Sequence, residues 1–277
     1  MSWLETSRSA VNRWEIDGTD HFTVPFYFAR LGDATFVMLD ALGLTPADAR
    51  TSDMYVRYQR ELRVGDIFHT ESGVIDVADD SLLLGHKIFD TGDGALTTTV
   101  EHRLRLAVTG DVRNKAEAYR VSWDGPKREM RPQPRGLEKF TDTVRDTVRP
   151  WEIDVTGGCS LRDYVLRFSV ANAHATGVFG LTPEYFRKHR GGFSTFEFQL
   201  TFDGLLRVGT HVVVKSAPLH IGNSSMRLFH QMLDPRTGKR LATLDQLGVL
   251  LDLDARRPSP LPDWMKERAK ALIAPSA

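Results

Sequence analysis

Apolar residues recur at helical spacing between Val24 and Leu44, at Phe28, Leu31, Ala34, Phe36, Val37, Leu39 and Leu42. That spacing predicts one long helix, stopped by Gly43 and Pro46. The chain then changes period. The runs Met54 to Leu62, Asp66 to Val77, Ser81 to Asp90 and Ala95 to Ala107 read as strands, and Thr91-Gly92-Asp93-Gly94 between the last two is a hairpin signal. A second helix is expected from Leu161 to Gly180. Strands come next again: Phe193 to Phe202, with Phe196, Phe198, Leu200 and Phe202 on one face, then His211 to Ser216, Ser224 to Asp234 and Arg240 to Leu253. The amphipathic stretch Trp264 to Ile273 predicts a short outer helix. A helix leading an antiparallel meander is an α+β unit with its sheet wrapped on the helix.

The unit is present twice. Trp14-Glu15-Ile16-Asp17 with Thr19 returns as Trp151-Glu152-Ile153-Asp154 with Thr156. Gly-Leu-Thr-Pro ends both helical runs, at Gly43 to Pro46 and at Gly180 to Pro183. Leu62-Arg63-Val64-Gly65 is echoed by Leu206-Arg207-Val208-Gly209, and His86 by His230. The offset grows from 137 residues at Asp17 and Asp154 to 144 at His86 and His230, which places an insertion around Tyr185 to Ser194. Such a duplication predicts a pseudo-symmetric pair of domains, 1–121 and 148–277, joined by a linker over 122–147.

A helix wrapped by an antiparallel sheet, twice over, resembles a double hotdog. Asp17-Gly18-Thr19-Asp20-His21, with Tyr27 six residues after the histidine, is similar to the Asp-x-x-Gly-His-x-Asn-x-x-x-Tyr signature of 4-hydroxybenzoyl-CoA-type hotdog thioesterases. Leu42-Gly43 and the Arg256-Arg257-Pro258-x-Pro260-x-Pro262 tail resemble family endings, and acyl-carrier-protein thioesterases supply the tandem comparison. The sequence departs from the signature at Asp20, for glycine, and Thr23, for asparagine. In the second copy Asp154, Gly157 and Tyr164 keep the pattern, while Gly158 and Ser160 replace the histidine and asparagine. The resemblance implies a thioester hydrolase acting on an acyl-CoA or an acyl-carrier protein, without cofactor. The hotdog enoyl-CoA hydratases and a non-catalytic acyl-thioester binding module are the alternatives, although the hydratase pattern Asp-x-Asn-Pro-x-His is absent.

Hydrolysis of a thioester needs an activated oxygen and stabilisation of the oxyanion, which unpaired amides at a helix N-terminus can supply. Asp17, just upstream of the first helix, is the candidate nucleophile or general base, and His21 is its candidate partner in catalysis. Thr23 and Tyr27 are candidate substrate-binding groups, and Asp154 is the candidate for a second site. A turn or cap role is the alternative for both aspartates. His86 and His230, on apolar strand faces, read as hydrogen-bonded core residues. Glu101 and Asp245 are equivalent strand acids, expected either across the domain interface or in solvent. Cys159 reads as a small residue filling a turn.

Composition narrows the field without choosing within it. The 277 residues carry a formal net charge of +0, which gives no reason to expect nucleic acid as a partner. No His/Cys cluster has metal spacing, so no metal is expected. One cysteine, an N-terminus without a signal-like apolar run and the lack of a membrane-length apolar stretch predict a cytoplasmic protein off the membrane. Two fused halves predict a monomer or a homodimer of double hotdogs.

Overall fold

The computed structural model describes residues 3–129 and 131–275. It separates into two compact units, Met1–Lys127 with Pro150–Val165, and Arg128–Arg149 with Leu166–Ala277. The first unit runs β1 (Leu4–Ala10), α1 (Val24–Ala41), β2 (Arg50–Tyr58), β3 (Ile67–Val77), β4 (Ser81–Asp90), β5 (Leu96–Arg105) and α2 (Gly110–Ala118). Its strands are antiparallel in the order β1-β3-β4-β5-β2. The helix lies on the sheet because its apolar stripe has nowhere else to go. Phe28, Leu31, Ala34 and Met38 are fully buried, and Met38 and Leu39 pack with Val74, Leu82, Leu84 and Leu104. Each of the larger side chains contributes about 1.5–3 kcal/mol by leaving water.

The second unit repeats the plan with β6 (Thr141–Thr147), β7 (Gly191–Phe202), β8 (His211–Ile221), β9 (Ser225–Leu233) and β10 (Arg240–Asp252), in the order β7-β10-β9-β8-β6. A two-residue strand, β11 (Arg257–Pro258), pairs with β10. The long helix α3 (Leu161–Phe179) begins in the first unit and continues into the second, where Phe179 packs with Met226, Leu228 and Leu250. Two short helices complete it, α4 (Pro183–His189) and α5 (Asp263–Ala271). The fold is α+β, a double hotdog.

The repeated Gly-Leu-Thr-Pro motif has a mechanical reading. Gly43, at φ +75°, takes the left-handed conformation that ends α1, and its N–H donates to Asp40 O while Leu44 N–H donates to Leu39 O. This satisfies carbonyls that the helix end would orphan. Gly180 and Leu181 do the same for α3, on Gly177 O and Thr176 O. Thr45 then caps the single helical turn Pro46–Asp48 and Thr182 caps α4, each with its proline in the first turn. Because the glycine must stand outside the helix, α1 stops at Ala41 rather than at the expected Leu44.

Other differences have equally local causes. The insertion expected around Tyr185 to Ser194 is largely α4. Strand β8 runs past Ser216 to Ile221, because β6 pairs only with 211–216 and so asks no N–H of Pro218 on that side. Strands β1 and β6 are edge strands of polar sequence that carry no alternation strong enough to announce them. The second of these lies inside 122–147, the stretch expected to be linker.

That stretch is also anchored to both units. Trp123 Nε1 donates to Glu101 at 2.9 Å, and Lys87 pairs with Asp124 at 2.6 Å. Within the second unit, Arg131 pairs with Glu197 and Arg227 Nη2 donates to Pro132 O at 2.9 Å. Asp245 is buried and ion-paired with Arg227. Glu101 and Asp245 are therefore not solvent acids; each belongs to the contacts that fasten this segment or its partner arginine. His86 and His230 are fully buried, each bonded through Nδ1 to a serine hydroxyl, Ser72 or Ser216, at 2.7 Å.

Candidate functional site

Residues 12–23 form a tight loop that ends at the N-terminus of α1. Glu15 pins it: 2 % exposed, its carboxylate accepts from Asn12 N and Nδ2 at 2.9 Å and from Arg30 Nη2 on α1 at 2.6 Å. The loop closes through Thr23 N to Glu15 O (2.8 Å) and Asp17 N to His21 O (2.9 Å). Closure needs a left-handed residue, which Asp20 supplies at φ 61° and Gly157 at φ 75° in the second copy. The glycine of the family signature thus marks a backbone requirement, and aspartate tolerates that conformation better than most side chains.

Asp17 is exposed on this loop. Its Oδ1 accepts from Thr19 N at 2.7 Å, from the Thr19 hydroxyl at 2.5 Å and from His21 N at 3.3 Å. The Thr19 oxygen also lies 3.0 Å from His21 Nδ1, and the other ring nitrogen, Nε2, stands 2.8 Å from Glu61 Oε2 though out of line for a good hydrogen bond. Since Thr19 has one proton and gives it to Asp17, both nitrogens of His21 face acceptors. The result is a polar chain, Asp17–Thr19–His21–Glu61, held in a loop otherwise framed by apolar packing. His21 is only 8 % exposed within it.

Thr23 is the N-cap residue of α1 and makes no side-chain cap bond. Tyr27 stands apart from the others. It is 4 % exposed, its ring packs 4.5 Å from Phe22 and 5.3 Å from Tyr58, and burial pushes its phenol well above the ordinary range. The structure thus brings Asp17, His21 and Thr23 onto one loop and sends Tyr27 into the core.

Asp154 occupies a different setting. Its loop repeats the first, with Oδ1 accepting from Thr156 N at 2.8 Å and Asp154 N donating to Gly158 O at 3.0 Å. Within the first unit it lines a cleft of about 230 Å³, together with Trp151, Ser160, Arg162 and Asp163 on one side and Phe28, Ala29, Gly32, Asp33 and Phe36 of α1 on the other. Asp17 does not line that cleft. Desolvation raises the Asp33 carboxyl above its ordinary pKa, with Arg30 pulling the other way. Cys159 is buried in the turn before α3, its thiol 3.8 Å from Ser160 O.

Three of these groups escaped the sequence reading. Glu15 had a signal, its place in the repeated Trp-Glu-Ile-Asp motif. Glu61 had none, because Leu205 stands at the equivalent place in the second copy. Asp33 sits among polar helix positions that sequence alone assigns to solvent. Among the described residues, no group of His, Cys, Asp and Glu is arranged to hold a metal ion, and no helix is long and apolar enough to cross a membrane.

The family described as the thioesterase-like superfamily matches residues 11–118 and 148–269, one stretch for each repeat. The chain belongs to that superfamily. With membership comes the activity class, thioester hydrolysis. Among solved structures, the 12:0-ACP thioesterase from Umbellularia californica is similar at 12% identity and TM-score 0.67, over 91% of this chain and 93% of that one. An acyl-ACP thioesterase from Bacteroides thetaiotaomicron VPI-5482 is similar at 10% identity and TM-score 0.66, over 87% and 96%. At such identities the likeness is one of fold. No curated protein sequence matches the chain.

Proposed function

We propose that this thioesterase-superfamily member hydrolyses an acyl thioester of coenzyme A or of an acyl-carrier protein, with Asp17 as nucleophile or general base and the first amide of α1 as oxyanion stabiliser. The observation that carries the proposal is a contrast between two helix ends. The first turn of α1 has no acidic residue and no side-chain cap. At α3 the Ser160 hydroxyl already accepts from Asp163 N (3.2 Å), and Asp163 puts a carboxylate in the first turn. At the first end Pro25 has no N–H and Phe26 N already donates to Thr23 O, so the Val24 N–H is the amide offered to an oxyanion there, with no carboxylate in that turn; at the second end the oxyanion meets a carboxylate.

As a base, Asp17 takes a proton from water while the water oxygen attacks the thioester carbon. The tetrahedral oxyanion collapses, the C–S bond breaks, and the leaving thiolate takes the proton back from Asp17. As a nucleophile, the carboxylate displaces the thiolate and water then cleaves the resulting anhydride. In either course Thr19 and His21 fix the carboxylate by binding Oδ1, which leaves Oδ2 outside that set of bonds.

A second reading puts the chemistry at Asp154, because Asp154 lines a cleft and Asp17 does not. One experiment separates them: free-thiol release from a panel of acyl-CoAs by the wild type, Asp17→Asn and Asp154→Asn. Loss confined to Asp17→Asn supports the first reading, and loss confined to Asp154→Asn the second. Consumption of an enoyl-CoA without thiol release would mean hydration instead.

A further inference from the structure

The cleft beside α1 has a floor made of small residues. Ala29, Gly32 and Phe36 succeed one another at i, i+3 and i+7, which places them on one face of the helix over roughly 10 Å of axis. A Cβ built at Gly32 would meet nothing within 4 Å, so the glycine leaves real space rather than admitting a close neighbour. Trp151 forms part of the opposite wall and is 73 % exposed. The duplicated helix lacks this floor: the counterparts of Ala29, Gly32 and Phe36, 137 residues on, are Leu166, Ser169 and Ala173. At these three positions only the first helix carries a glycine. A glycine in the middle of a helix is otherwise unfavourable relative to alanine, so its presence calls for a reason that packing does not give.

We propose that this cleft holds the acyl group of the thioester substrate and that Gly32 determines how large an acyl group is accepted. The inference rests on the thioesterase reading given above, though not on which aspartate acts. Its volume of about 230 Å³ exceeds the about 150 Å³ of an apolar cavity that takes up benzene. It is too small for a whole coenzyme A thioester, whose carrier must then lie outside. The floor along α1 is apolar, while Asp33, Glu152, Asp154, Ser160, Arg162 and Asp163 make the rest of the lining strongly polar. The class of acyl group that fits is an aromatic ring or a medium aliphatic chain.

The test compares the wild type with Gly32→Ala and Gly32→Leu, both of which suit a helix at least as well as glycine and have room at Cβ. Each is first checked for an unchanged or raised Tm. Hydrolysis of acetyl-CoA, benzoyl-CoA and octanoyl-CoA is then followed by thiol release. Gly32→Leu should lower kcat/KM for benzoyl-CoA or octanoyl-CoA by about 10- to 200-fold relative to acetyl-CoA, with Gly32→Ala between it and the wild type. A folded Gly32→Leu whose acyl preference equals that of the wild type would overturn the proposal. If the wild type hydrolyses none of the three, the thioesterase reading fails by that result alone. Calorimetric titration with a non-hydrolysable thioether analogue of octanoyl-CoA then judges the cleft: binding weakened by Gly32→Leu upholds it, and absent or unaltered binding removes it.

Discussion

Replacing Glu15 by alanine should destabilise the protein by about 3 kcal/mol and loosen the Asp17 loop at the same time. The carboxylate is 2 % exposed and carries three hydrogen bonds, two from Asn12 and one from Arg30 at 2.6 Å. Removing it leaves the Arg30 guanidinium, 22 % exposed at its side chain, without its partner. Breaking one side of a buried ion pair typically costs about 3–5 kcal/mol, and the partial exposure of Arg30 places this case at the lower end. The loss falls on the ion pair that ties the Asp17 loop to the body of α1. Urea unfolding followed by circular dichroism would give the stability change, and thiol release the change in activity. A double variant, Glu15→Leu with Arg30→Met, should regain most of the stability, because it removes the stranded charge along with its cause. It should not regain activity in proportion, since the loop anchor is still gone. A loss below about 1 kcal/mol for Glu15→Ala, or no rescue by the double variant, would refute the reasoning.

The same contacts lead to other outcomes. Glu61→Gln removes the carboxylate beside His21 Nε2 and Thr19→Val cuts the chain between His21 and Asp17, so each should lower kcat more than it raises KM in steady-state assays. Burial holds His86 and His230 near a pKa of about 4, below the unfolded value of about 6.5, so their contribution is full above pH 6.5 and is lost as pH falls toward 4. The loss is at most about 3 kcal/mol per ring, and His230→Phe should flatten the acid side of a stability-versus-pH curve from urea midpoints. Gly85→Ala would bring a Cβ to 2.8 Å from the Trp123 ring, so it should destabilise by about 1–3 kcal/mol and shift tryptophan emission as Trp123 is pushed off the sheet.

Much of the fold was legible because duplication lets the chain check itself. Phe28 to Leu42 and Leu161 to Gly180 share a helical period, and the strand pairs Ser81–Asp90 with Leu96–Arg105 and Ser225–Leu233 with Arg240–Asp252 flank recognisable turns. Edge strands were less legible. In Thr141–Thr147 only Thr143 is buried, so a polar sequence forms a strand through backbone pairing with β8 that leaves no mark on hydrophobic alternation. The site divided in the same way. That Asp17 and His21 share one loop was readable from a local motif, because Asp17 N closes onto His21 O within five residues. Glu61 is 40 residues downstream and reaches His21 through tertiary structure, and Asp33 meets the segment around Asp154 across more than a hundred residues of chain. No local pattern encodes contacts of that range. Tyr27 shows two signals at one position: the motif makes it a candidate ligand, while its helical phase turns the ring into an aromatic cluster.

The most direct measurement is single-turnover hydrolysis of a saturating acyl-CoA by wild type and Asp17→Asn, quantified as free thiol. With Asp17 as the reacting carboxylate, the rate of thiol release falls by about 10²–10⁴-fold while the variant keeps its fold and its affinity for the substrate. Thiol release by a folded Asp17→Asn at the wild-type rate would contradict the account and shift attention to the carboxylates of the cleft.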